Sequence, residues 1–226
     1  MPESPAVDRM ATQVQTWEDL ADQRCVFLSC YLLMTRNILS ALDHQEFRDS
    51  AWVYQLMERF ADYYFVALEA YERDPASAPA VWQVAHDVTR APNTLAVQKL
   101  MAGVNAHINY DLVLSLVDML GPEWANLPAD RRSWRYSDHC HVNAVIGRTI
   151  DAVQDQVLDP VMPLMKVIDE VLGPVDEMLV SHLITHWRET VWHNAMRLLE
   201  AGEPEDRARL IGDIEREALR IANLIV

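Results

Sequence analysis

Apolar residues recur along this chain every three or four positions, while strict apolar-polar alternation is nearly absent. That periodicity builds amphipathic helices rather than strands. Thr16 is placed to cap a first helix running from near Trp17 to near Asp43, with Leu28, Ile38 and Leu42 on its buried stripe. A second helix is expected from about Ser50 to Glu72, where Val53, Met57, Phe60, Tyr64, Ala67 and Tyr71 share one side. The joint DPASAPA leads to a short third helix around Trp82 to Val88. Asn93 is placed to cap a long fourth helix, which stops near Gly121 where Gly and Pro adjoin.

Residues Pro122 to Arg132 read as a loop. A fifth helix follows from about Ser137 to Leu158, a sixth opens at Pro160 and closes at Gly173, and a seventh starts at Pro174 and reaches Ala201. Residues 203–226 form a charged amphipathic eighth helix whose apolar face either closes the bundle or joins the subunits of a homodimer. Residues 1–12 are a polar lead expected to be loose. The fold class is therefore all-α, a single-domain helical bundle of about seven or eight helices over residues 1–226.

Composition narrows the function classes. With 34 acidic against 19 basic residues, the net charge of -15 repels nucleic-acid phosphates and anionic lipid headgroups, so neither a nucleic acid nor a membrane is an expected partner. The N-terminal MPESPAVDRMATQ lacks a basic region followed by an apolar run, and no uninterrupted apolar stretch reaches the roughly 18 residues of a membrane span. Cys25, Cys30 and Cys140 are odd in number and read as packed free thiols of a reducing compartment, which points to the cytoplasm.

Polar residues interrupt the apolar stripes at telling places. On the fourth helix Leu100, Val104, His107, Asp111 and Leu114 form one inward row, so His107 and Asp111 face the core at i and i+4. That spacing lets a carboxylate orient an imidazole as a general base. Asn105 and Asn109 flank the pair, and Arg188 takes an interior slot on the seventh helix between Trp187 and Trp192. Tyr31, Thr35, Tyr63 and Tyr64 add inward polar atoms from the first two helices. One reading makes these groups structural, with Asp111 and Arg188 as a buried ion pair. The other makes a pocket in which His107 transfers protons, Asp111 orients it and Arg188 holds an anionic or enolate-like oxygen, with Tyr31, Thr35, Tyr64, Asn105, Asn109, Trp187 and Trp192 around the substrate.

No cofactor is predicted, and a divalent metal is the alternative. His107 and Asp111 with Asp138, His139 or His141 would supply oxygen and nitrogen ligands on facing helices. The row His182, His186, Glu189, His193 and Arg197 reads more simply as a solvated face. A phosphate-cradling loop, a G-x-S-x-G elbow and a DDxxD-like segment are all missing, and Trp17, Trp52, Trp82 and Trp124 read as core or joint-packing residues.

The phrases CYLLMTRNI, LMAGVNAHINYDLVLSLV, DHCHVNAVI and HWRETVWHNAMRLL, in this order, resemble a bacterial family of helical domains of unknown function. Its central phrase is similar to N-A-H-I-N-x-D-L, with W-R-x-x-x-W towards the C-terminus. The resemblance spans roughly Cys25 to Leu199 and implies that Asn105, His107, Asn109, Asp111, Trp187, Arg188 and Trp192 belong together. It transfers no reaction. The expected function is an enzyme acting on a small, largely apolar molecule, in keeping with specialised (secondary) metabolism, by acid-base cyclisation, isomerisation or elimination. The alternatives are a metal-dependent hydrolase or oxygenase and a non-catalytic ligand-binding or helix-docking protein.

Overall fold

Ser4 and Pro5 start the first helix well before the expected position. In the computed structural model, which describes residues 4–154 and 177–226 (the side chains of 151–154 and 177–178 excepted), α1 covers Pro5–Asp19. Ser4 Oγ accepts from the Val7 amide at 3.2 Å, and Pro5 takes the first turn, where a missing N–H costs nothing. Glu58 then fastens this end, accepting from Ser4 Oγ at 2.5 Å and from the Ala6 amide at 3.2 Å. Met10 and Trp17 of α1 are fully buried. The lead expected to be loose is thus a packed helix from Pro5 onward.

The expected first helix is also divided. Ala21 adopts a left-handed conformation (φ 53°), and the Asp22 amide donates back to the Trp17 carbonyl at 2.8 Å, which ends α1. The Asp22 carboxylate accepts from the Arg24 amide and guanidinium, and the chain restarts as α2, Cys25–Asp43. Next come α3, Ser50–Arg73, and α4, Ala80–Arg90, close to their expected spans. The long central helix α5 is Ala96–Leu120, with Leu95 rather than Asn93 at the N-cap and Gln98 Oε1 accepting from the Leu95 amide at 3.1 Å. Helix α6 begins at Ala129, inside the stretch expected to be a loop, and runs to Gln154. Glu177–Glu200 forms α7 and Pro204–Ile225 forms α8. The expected helix from Pro160 to Gly173, the end at Leu158 and the start at Pro174 lie outside the described residues.

The described residues make an all-α single domain of eight helices with no strand. Helix α5 lies at its centre, with α2, α3, α4, α7 and α8 packed around it. Its N-terminal half joins an apolar cluster with α1, α4 and the facing halves of α2 and α3. Its C-terminal half joins a second cluster with α6, α7 and the other halves of α2 and α3. By length and composition alone, α2 and α5 could each cross a bilayer; here 61% and 78% of their apolar windows are buried inside the bundle. Helix α8 closes the bundle against α4 and α5 through Ile214, Ala218 and Ala222.

Candidate functional site

The two apolar clusters meet where α5 changes its winding. Over His107–Asp111 the helix widens into a π turn, with the Leu112 amide donating to the His107 carbonyl, a departure that recurs at functional sites. Nδ1 of His107 lies 2.9 Å from Oδ2 of Asp111, and both groups are almost wholly buried. The indole N–H of Trp82 on α4 donates to both Asp111 oxygens, at 3.1 and 3.0 Å. Phe60 of α3 stacks on the imidazole with ring centroids 3.5 Å apart and planes within 7°, and Tyr31 of α2 meets it edge-on at 4.3 Å. Held on these sides, the His107 ring keeps its Nε2 without a hydrogen-bond partner among the described residues, and the Tyr31 hydroxyl has none among them either.

Burial sets the electrostatics of the pair. It pushes the Asp111 carboxyl well above the usual range, opposed by the Trp82 hydrogen bonds, and pushes the His107 imidazole well below its ordinary value. A low-dielectric site favours the electrically neutral form of the dyad, in which one proton bridges Oδ2 and Nδ1 and Nε2 carries the other. Loss of that second proton leaves Nε2 as a bare lone pair backed by a carboxylate. The same nitrogen can therefore serve as acid in one form and base in the other.

A cavity of about 150 Å³ lies against this dyad, walled by α2, α3, α5, α6 and α7. Its lining is apolar apart from a few groups: Tyr31, Thr35, His107, Arg188 and the Cys30 thiol, which burial pushes up to about 11. Arg188 enters from α7. Its Nε donates to Asn143 Oδ1 at 2.7 Å and its Nη2 to the His139 carbonyl at 2.8 Å. His139 Nε2 in turn lies 3.0 Å from the Arg188 carbonyl, which makes it the protonated nitrogen. Burial lowers the guanidinium to about 10 and, together with the Arg188 charge, holds His139 well below its ordinary value.

The structure sorts the expected site residues into two groups. His107, Arg188, Tyr31 and Thr35 line the cavity, and Asp111 backs His107. Asp111 and Arg188 do not pair, so the buried ion pair is corrected to two separate networks. Asn105 and Asn109 face α8 instead: Asn109 Nδ2 donates to Asn105 Oδ1, and Asn105 Nδ2 donates to the Ala218 carbonyl, each at 2.9 Å. They staple α8 to α5. Tyr64 packs edge-on to His107 at 6.1 Å without lining the cavity. Trp187 and Trp192 are buried outside it, Trp192 resting against His139 at 5.1 Å.

The metal ligand set is likewise dispersed. Asp138 accepts from the Arg48 and Asp49 amides at 2.7 and 2.9 Å, and His141 pairs with Glu46 at 3.1 Å, while His139 serves Arg188. Among the described residues no three His, Cys, Asp or Glu side chains come together as a ligand group. His182, His186 and His193 lie on the exposed face of α7. Three residues of the site escape sequence reasoning: Phe60 and Trp82 look like core residues in apolar rows, and Asn143 carries a signal only in standing four residues after His139.

No curated protein and no solved structure is significantly similar to this chain. A family match, however, extends over residues 4–226 and so takes in α1 and α8, beyond the span of the phrases that carried the resemblance. The chain belongs to the family of unknown function DUF5995.

Proposed function

We propose that this protein is an enzyme that takes a small, largely apolar molecule into the cavity and moves a proton on it at His107 Nε2. The observation that carries this reading is the unpartnered Nε2 of a carboxylate-backed imidazole in the wall of an apolar cavity. A buried polar atom left unpaired costs about 1–3 kcal/mol, and the hydroxyl of Tyr31, whose ring meets the imidazole edge-on, carries a second such cost. A ligand oxygen reaching either atom would offset its cost. The deprotonated dyad accepts a proton from a C–H or O–H of the ligand at Nε2, while the bridge to Asp111 keeps the ring in place. The neutral dyad then returns that proton to another atom of the same molecule, which gives isomerisation or cyclisation, or to a leaving group, which gives elimination. The apolar walls exclude water from the intermediate. Such chemistry suits a metabolite of a specialised pathway and requires no cofactor.

The test is incubation of a small-metabolite extract with the wild-type protein and with His107→Ala, followed by mass spectrometry of the extract. Wild type is expected to convert at least one apolar component, and the folded variant to be slower by about 10²–10⁴-fold, the usual contribution of a general acid-base group. Equal conversion by a folded His107→Ala protein would remove His107 from the chemistry.

A further inference from the structure

With the dyad in its neutral form, the polar groups that the described residues bring to the cavity are not balanced in charge. Arg188 brings a guanidinium, and none of the described residues lining the cavity is Asp or Glu. Among the described residues no carboxylate lies within ion-pair distance of Arg188, whose Nε and Nη2 are bound to neutral oxygens. Its Nη1 has no hydrogen-bond partner among those residues. The adjoining His139 stays neutral, because its Nε2–H is given to a backbone carbonyl and its Nδ1 faces Arg188 Nη2 at 3.5 Å. A buried cation without an opposite charge is costly, by several kcal/mol even after relaxation. Two oxygen acceptors reduce that cost, and the rest persists as a positive field across a space with apolar walls.

On the reading that this cavity is the ligand site, we infer that its ligand is a small apolar monoanion, a carboxylate whose oxygens seat on Arg188. A planar guanidinium matches a carboxylate closely, and a desolvated charge-assisted hydrogen bond is about twice as strong as a neutral one. The unpartnered Tyr31 hydroxyl points to a second oxygen on the same ligand, since a hydroxyl can donate to it. Size limits the apolar body: a dry cavity of about 150 Å³ is on the order of what benzene fills. Short-chain aliphatic and single-ring aromatic acids satisfy charge, shape and polarity together.

The probes are two pairs that share a body and differ in charge: benzoate against benzyl alcohol, and hexanoate against hexan-1-ol. Each is titrated calorimetrically at pH 7 into the full-length protein. The wild type is expected to bind each acid at least tenfold more tightly than its alcohol. In Arg188→Met the preference is expected to vanish while the alcohols still bind, and Arg188→Lys, which keeps the charge if the Met variant does not fold, is expected to retain part of it. Val145→Phe, which fills the cavity, is expected to abolish binding of both members of each pair. Alcohols binding as tightly as acids in the wild type would overturn the anion assignment and leave the pocket reading standing. Neither class binding would overturn both. An acid preference that survives Arg188→Met or Val145→Phe would place anion binding elsewhere and overturn the assignment too.

Discussion

Trp82 controls the dyad through both oxygens of Asp111. Its two N–H contacts favour the charged carboxylate against the burial that disfavours it. Trp82→Phe keeps one aromatic ring but removes the donor along with the rest of the indole, so Asp111 is expected to rise further and the dyad to hold its extra proton more firmly. Stability should fall by at least about 1–3 kcal/mol, the range for leaving a buried acceptor short of a partner, with the lost packing of the indole added to it. Urea denaturation reads the second effect and NMR titration of His107 the first; an unchanged titration would show that Trp82 only fills space. A second constraint lies at Gly103, where a Cβ would meet the Phe27 ring at 2.5 Å. Phe27 lines the cavity, so Gly103→Ala is expected to cost about 1–3 kcal/mol through overpacking and to weaken ligand binding, whereas Gly202→Ala, with nothing within 4 Å, serves as the neutral control. The inward direction of His107, Asp111 and Arg188 was legible because helical periodicity reports which face a residue takes. Their partners were not, since Trp82, Phe60 and Asn143 reach the site across helices, and periodicity within one helix says nothing of the next. Asn105 and Asn109 show the same limit: they point inward, but towards α8.

Periodic runs located most of the helices, and their ends were harder to read. Helix α3 matched within a residue or so because Asp49 caps it and an acidic joint ends it. The break between α1 and α2 rests on a left-handed Ala21, a conformation that alanine rarely adopts and that no residue type announces. Ser4-Pro5 was a readable start signal, with Asp8 in the first turn, yet a polar N-terminus outweighed it. The π turn left no sequence mark at all. How much helix α1 contributes to the fold can be tested directly. Removing residues 1–19 deletes the Met10 and Trp17 side chains, whose burial contributes about 1.5–3 kcal/mol each, and uncovers the cluster around Phe27 and Trp82. The truncated chain is expected to lose cooperative unfolding in circular dichroism. A truncation that melts like the full chain would mean that α1 is a dispensable cover.

At the scale of the whole molecule, three buried imidazoles couple stability to pH. Burial holds His86 down at about 3 and holds His107 and His139 well below their ordinary value. In the unfolded chain each titrates near 6.5, so below that pH the unfolded state binds protons that the native state refuses, and stability falls as pH falls. Asp111 works in the opposite sense: its raised carboxyl keeps a proton in the native state that the unfolded chain releases above about 4, which favours folding as pH decreases towards that value. Between about pH 4 and 6.5 the proton refused by His107 and the one retained by Asp111 cancel. The slope that remains belongs to His86 and His139, at up to about 1.4 kcal/mol per pH unit each, whereas the lowered carboxyls of Asp22 and Asp49 add their loss only below about 4. Urea denaturation at pH 7, 6 and 5 should show the midpoint dropping, most steeply below 6.5. His86 is packed between Trp82 and Tyr71 with its Nε2 unpartnered, so His86→Phe keeps the ring contacts and is expected to halve the slope. An unaltered slope in that variant would show that His86 carries no share of the acid sensitivity and would overturn its assignment.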